Sequence, residues 1–187
     1  GDELAKKLIS SLNKSVKIKP NYLEAISFRA SIKRQTEDYY GALDDFLICN
    51  KLSPNSANSD IASLKELLND FSGAISYYSK DITLNGVPKS NGNKQYLADL
   101  YWKRGDAKIA SKDYLGAIAD CSKAIELLEP IVKSCAGTPE ETLGRYYRSR
   151  GIARNNNKQK ELGCIDLSRA LNLGLNFVKS DIDEYCK

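Results

Sequence analysis

Apolar residues recur along this chain with a helical period. Leu4, Leu8, Leu12 and Val16 return every four residues, with Ile9 beside them and lysines elsewhere. That spacing predicts one amphipathic helix over residues 3–18, stopped by Pro20. Further on, the apolar positions fall into pairs of helix-length runs broken by short hydrophilic clusters, as at Thr36–Asp38. Each pair carries two small residues twelve positions apart: Ala30 and Ala42, Ala62 and Ala74, Gly105 and Ala117, Gly151 and Gly163. Antiparallel helices joined by a tight turn approach closely only where side chains are small, so these positions predict helix crossings. Aromatics placed near them, Tyr39, Phe71, Tyr101 and Tyr114, would fill the space around each crossing.

The clearest example is Tyr101–Pro130, with Tyr101 four before Gly105, Tyr114 three before Ala117, and Ala124 seven after it. This order of aromatic, small, aromatic, alanine and proline resembles the tetratricopeptide repeat, a helix–turn–helix unit of about 34 residues. The bacterial-type members are the nearest in pattern. The resemblance implies an all-α fold, a right-handed superhelix of antiparallel helix pairs making one solenoid domain over residues 1–187. Four repeats are expected at 22–54, 56–86, 94–136 and 139–174. Residues 3–20 supply a half repeat or N-terminal cap, with Leu8 in the family's alanine slot, and 175–187 form a C-terminal cap helix. The second-helix slots at Leu8, Ala42, Ala74, Ala117 and Gly163 lie 34, 32, 43 and 46 residues apart. The two long steps are absorbed by the Gly/Pro/Asn/Ser stretch at 86–93 and by a second helix running on past Pro130 to Cys135, with Gly137 ending it.

Composition narrows the chemistry. With 42% hydrophobic and 28% charged residues the chain is expected to be soluble, and a net charge of +4 without a single-sign block disfavours nucleic acid. No apolar run is long enough for a transmembrane segment. No secretory signal is visible at the start, which slightly favours the cytoplasm, while Gly1 reads as a processed or trimmed start and leaves export after leader removal open. The chain has no histidine, which removes Ser/His/Asp and Cys/His nucleophile systems and Cys/His zinc sites. Phosphate-cradling glycine loops are absent too, so no enzyme, cofactor or metal is expected. Asp44-Asp45 is read as a helix surface and Glu140-Glu141 as an acidic first turn. The five cysteines lack CxxC spacing and are read as reduced structural thiols. An Asn-Lys-Ser sequon at Asn13 falls inside the first helix and is read as accidental.

In repeats of this family the first helices line a concave groove that receives a peptide. Carried across by position, the groove slots are Ser27, Ser31 and Arg34, then Ser59, Ser63 and Glu66. They continue with Asp99, Trp102, Asp106 and Ile109, then Arg145, Arg148, Ile152 and Asn155. Trp102, Arg145 and Arg148 are read either as one end of a groove suited to an acidic segment, or as internal contacts, with Trp102 packed against the inserted loop and the arginines paired with Glu140 and Glu141. The Lys and Asn carboxylate clamp of chaperone adaptors is missing, because its slots hold Ser27, Ser31 and Asp60. Arg29, Arg104 and Arg150 share the slot before the small residue and are read as helix-surface packing. The expected function is a non-enzymatic scaffold binding a protein or peptide. Self-association through the first helix, or service as an accessory domain of a larger protein, are the alternatives.

Overall fold

The computed structural model describes residues 2–87, 90–134 and 140–187, and among them there are helices and no strand. The chain divides into two compact units, Gly1–Asp81 and Ile82–Lys187. The first holds α1 (Asp2–Ile18), α2 (Leu23–Gln35), α3 (Tyr39–Leu52), α4 (Asn58–Leu67) and most of α5 (Phe71–Leu84). The second holds α6 (Asn91–Ala110), α7 (Tyr114–Ser134), α8 (Glu140–Asn156), α9 (Lys160–Asn172), a 3₁₀ turn (Asn176–Val178) and α10 (Lys179–Tyr185). Pro130 lies within α7. Cys135 and Gly137, expected to extend and end that helix, lie outside the described residues.

Four helical hairpins, α2–α3, α4–α5, α6–α7 and α8–α9, turn in the same way. The residues Glu37, Asn69, Lys112 and Lys158 have φ of 62, 61, 67 and 62°, the left-handed conformation that ends a helix. The next residue donates its N–H five residues back: Asp38 to Lys33 at 2.9 Å, Asp70 to Lys65 at 2.7 Å, Asp113 to Lys108 at 2.8 Å, Gln159 to Arg154 at 2.9 Å. In three hairpins that residue is an aspartate, and it caps the following helix by accepting from Gly41, Gly73 or Gly116 N–H at 2.9–3.0 Å.

A buried ion cluster fastens three of the hairpins. Arg29 donates Nε and Nη2 to both carboxylate oxygens of Asp45, at 2.8 and 2.6 Å. Arg104 does the same to Asp120 (2.8 and 2.7 Å), and Arg150 to Asp166 (2.8 and 2.9 Å). A second cation one turn later closes on the same aspartate: Lys33 at 2.9 Å, Lys108 at 2.8 Å and Arg154 at 2.7 Å. Forked guanidinium pairs of this kind fix orientation as well as distance. The remaining guanidinium nitrogen of Arg29 reaches Asn13 of α1 (2.8 Å), and that of Arg150 reaches Ser122 of α7 (3.2 Å). Asn13 and Ser122 both lie five residues after the small-residue slot, so α1 stands to α2 as α7 stands to α8 in this bond. Asp45 therefore corrects the expectation of a surface acid pair: Asp45 is buried and only Asp44 is exposed.

Among the described residues, the hairpin α4–α5 has no ion pair at its crossing. Ile61 stands in the arginine slot and Tyr77 in the aspartate slot, while Lys65 turns to the cap carboxylate of Asp70 at 2.5 Å. This pair holds the Asp70 carboxyl below its usual range, chiefly through the Lys65 hydrogen bond. The core of the first unit gathers Ile26, Ala30, Ala42, Phe46, Ile61 and Leu64, and that of the second gathers Leu128, Leu143, Tyr146, Leu167, Leu175 and Val178.

A disulfide joins Cys164 of α9 to Cys186, with Cα atoms 5.7 Å apart. This overturns the reading of these two cysteines as reduced thiols. They are 22 residues apart with no motif between them, and only the return of α10 onto α9 brings them together. Cys49 and Cys121 are free and buried.

The backbones approach closely at α8–α9, where a Cβ on Gly151 would stand 3.0 Å from the carbonyl oxygen of Gly163. A Cβ on Gly144 would meet nothing closer than 3.4 Å. Replacing a mid-helix glycine by alanine ordinarily gains about 0.5–1 kcal/mol. At Gly144 that gain is expected to appear, whereas at Gly151 overpacking of about 1–3 kcal/mol should outweigh it. Urea unfolding of Gly144→Ala and Gly151→Ala checks the opposite signs; two changes of the same sign would contradict this packing.

Candidate functional site

The helix α6 places Asp99, Trp102 and Asp106 on one side, since positions three and four apart align along a helix. In the second unit that side meets α8. The Trp102 indole N–H donates to Ser149 Oγ at 2.9 Å, and its ring lies 5.6 Å from that of Tyr146, tilted by 33°. Tyr146 itself is fully buried and donates its hydroxyl to Asp99. Ser149 in turn hydrogen-bonds Asp106. Two carboxylates and an indole thus line one seam between α6 and α8, held by hydroxyls and by no cation within ion-pair distance among the described contacts.

Burial dominates at Asp106 and pushes its carboxyl up to about 6, against smaller opposing effects of the Ser149 hydrogen bond and the Arg148 charge. The Tyr146 hydroxyl is raised well above the usual range, by burial first and by its bond to Asp99 second. The Cys121 thiol, which feels the Asp106 charge, is pushed well up mainly by burial.

The arginines expected to receive an acidic segment are engaged within the chain. Arg148 is forked onto Asp181 of α10, at 2.6 and 3.1 Å, and lies 5.3 Å over the ring of Phe177. Arg145 is exposed and pairs with Glu141 one turn back at 3.1 Å. Glu140 and Glu141 occupy the first turn of α8, as its dipole favours. Ile109 is half-buried on α6, and Ile152 packs against the core of the second unit. Asn155 lies elsewhere: its amide is buried against Gly163 at the α8–α9 crossing, which takes it off the α6–α8 seam.

Two expected site residues belong to the first unit. Arg34 pairs with Asp60 at 3.1 Å, both partly exposed. Glu66 accepts from the buried Tyr78 hydroxyl at 2.7 Å, with Ser63 at 3.1 Å from the same oxygen. Ser31 bonds the Ser27 carbonyl of its own helix. The slot argument missed Tyr146, Ser149 and Asp181. The acidic, amphipathic end of the sequence was the one available signal for Asp181, since no spacing rule links it to Arg148. Arg29, Arg104 and Arg150, expected to pack on helix surfaces, instead fork onto buried aspartates that stand three positions after Ala42, Ala117 and Gly163.

Among the described residues no helix is long and apolar enough to cross a membrane, and no group of His, Cys, Asp or Glu is arranged to hold a metal ion.

Asp106 sets a pH dependence whose sign is fixed. Its ordinary value is 3.8 and its folded value about 6, so the native state binds the extra proton between these limits. Stability should therefore fall as pH rises through that window and carry a constant penalty above it. Asp106→Asn is expected to be more stable than the parent at neutral pH, with the difference vanishing towards pH 4. Thermal unfolding of both proteins across this range tests the point; a pH-independent difference would contradict it.

No protein-family model matches the sequence, and no curated protein does either. Solved structures do match. A MamA fragment from Desulfovibrio magneticus RS-1 is 16% identical with a TM-score of 0.74, over 92% of this chain and 86% of that one. YrrB, described as a TPR protein with an unusual peptide-binding site, is 11% identical with a TM-score of 0.75, over 97% of this chain and 84% of that one. A further MamA structure is 20% identical with a TM-score of 0.70, covering 91% and 83%. At these identities the likeness is one of fold, and the repeated hairpins, small-residue crossings and fold matches agree: this chain has the tetratricopeptide-repeat fold.

Proposed function

We propose that the chain is a non-catalytic interaction scaffold that receives a protein segment along the α6–α8 seam of its second unit. The observation that carries this reading is Trp102, a half-buried indole between two carboxylates. Such amphipathic aromatics anchor interfaces, because a large apolar face is offered beside polar groups already oriented. YrrB's described peptide-binding site is a precedent on the same fold. Absence of catalysis is supported by how the reactive groups are used. Asp45, Asp120 and Asp166 are consumed in ion pairs, and burial raises the Cys49 and Cys121 thiols away from the thiolate.

The Cys164–Cys186 disulfide favours an oxidising compartment over the cytoplasm expected from sequence. A second reading, self-association through α1, draws on Leu4 and Leu8, which are 65% and 37% exposed on that helix.

One set of proteins tests both. In affinity capture followed by mass spectrometry, Trp102→Ala should lose the partners that the parent retains while keeping its circular dichroism spectrum. An identical partner set for the two proteins would remove the seam from the account. Light scattering of the same samples separates the second reading, which requires a dimer that Leu8→Glu abolishes.

A further inference from the structure

The charges on the seam point away from the acidic segment that the arginines had promised. Arg145 and Arg148 are each paired within the chain, with Glu141 and Asp181. Asp99 and Asp106 are held by hydroxyl donors, Tyr146 and Ser149, which orient a carboxylate without cancelling its charge. Between them lies Trp102, whose ring face attracts cations. An anionic partner would have to displace Asp181 from Arg148 and then sit beside two carboxylates that no cation among the described residues pairs directly. A cation has no ion pair to break, and pairing would relieve the charge that burial disfavours at Asp106.

We infer that the α6–α8 seam docks a basic segment of a partner protein, with two cationic side chains placed over Asp99 and Asp106 and an apolar residue between them on Trp102. This rests on the seam being the binding face, as proposed above. The spacing follows from helix geometry. Asp99 and Asp106 are seven residues apart on α6, which at 1.5 Å per residue is about 10 Å. A segment in polyproline II conformation rises about 3.1 Å per residue and returns to the same edge every third residue. Cations at positions i and i+3 of such a segment are therefore about 9 Å apart, matching the two carboxylates. Neighbouring cations, or cations on alternate residues, do not match.

The test uses the intact chain and blocked, labelled peptides built around Lys-Pro-Leu-Lys, Glu-Pro-Leu-Glu and the respaced Lys-Lys-Pro-Leu. Trp102 is the only tryptophan, so its emission reports on the seam directly. Anisotropy of the labelled peptides gives affinity. The expected result is that Lys-Pro-Leu-Lys moves the Trp102 emission and binds most tightly, weakening as salt is raised. Asp99→Asn with Asp106→Asn should weaken it by about tenfold, the equivalent of about 1.4 kcal/mol. Asp106→Asn alone guards against misfolding of the double variant and should show part of the loss. Tighter binding of the glutamate peptide, undiminished binding by the double variant, or indifference to lysine spacing would each overturn the inference. If the glutamate peptide binds and Trp102→Ala abolishes that binding, the seam stands and only its charge preference fails. When no peptide moves the Trp102 emission and Trp102→Ala keeps its captured partners, both readings fail.

Discussion

The forked arginine–aspartate pair is the constraint on which these hairpins depend. An aspartate at the middle of a helix crossing has no reason to be buried unless its two oxygens are met, and here they are met by a guanidinium from the facing helix and a second cation one turn on. Asp166 is 1% exposed yet takes contacts from both Arg150 and Arg154. Leaving such a carboxylate without its partners is far more costly than the pair is favourable, so the interaction acts mainly by excluding other registers. Its third donor, to Asn13 or Ser122 in the preceding helix, extends the same constraint from one hairpin to the next helix.

The α4–α5 hairpin shows what the cluster replaces. With Ile61 and Tyr77 in the two slots, the crossing is apolar and the turn lysine transfers to Asp70. Both solutions keep the small residues in contact: Ala62 and Ala74 are as fully buried as Ala30 and Ala42. In the second unit, the clusters at Asp120 and Asp166 hold α6 to α7 and α8 to α9. The seam between α6 and α8 is then left to direct contacts, the Trp102–Ser149 and Tyr146–Asp99 bonds, and these carry the candidate site.

Most of the fold was legible because small residues at fixed separation have one efficient use, a helix crossing. The aspartate caps and the ion clusters were also written in the sequence, as Asp38, Asp70 and Asp113 before glycines and as Asp45, Asp120 and Asp166 after the small residues. They are hard to recognise there because acidic residues on amphipathic helices are usually solvated. The site was less legible. Slot positions put Asp99, Trp102 and Asp106 on one side of α6, but they could not reveal what each side chain touches. No slot rule pairs Arg148 with Asp181, because that partner comes from a terminal helix outside the repeat pattern. Asn155 failed for a related reason, since the glycine opposite it, Gly163, leaves room for its amide to fold inward. The disulfide had no local signal at all.

A double-mutant cycle on Arg104 and Asp120 tests the central role of the ion cluster most directly. Urea unfolding, followed by circular dichroism, gives the stability of Arg104→Ala, Asp120→Ala and the double variant. Asp120→Ala removes the carboxylate that Arg104 and Lys108 share and should cost about 3–5 kcal/mol. Because the Arg104–Asp120 pair is already lost in either single variant, the double variant's loss should fall well short of the sum of the two single losses. Losses that add to within about 0.5 kcal/mol would mean the two residues act independently, and the cluster would then be a consequence of the fold and not its constraint.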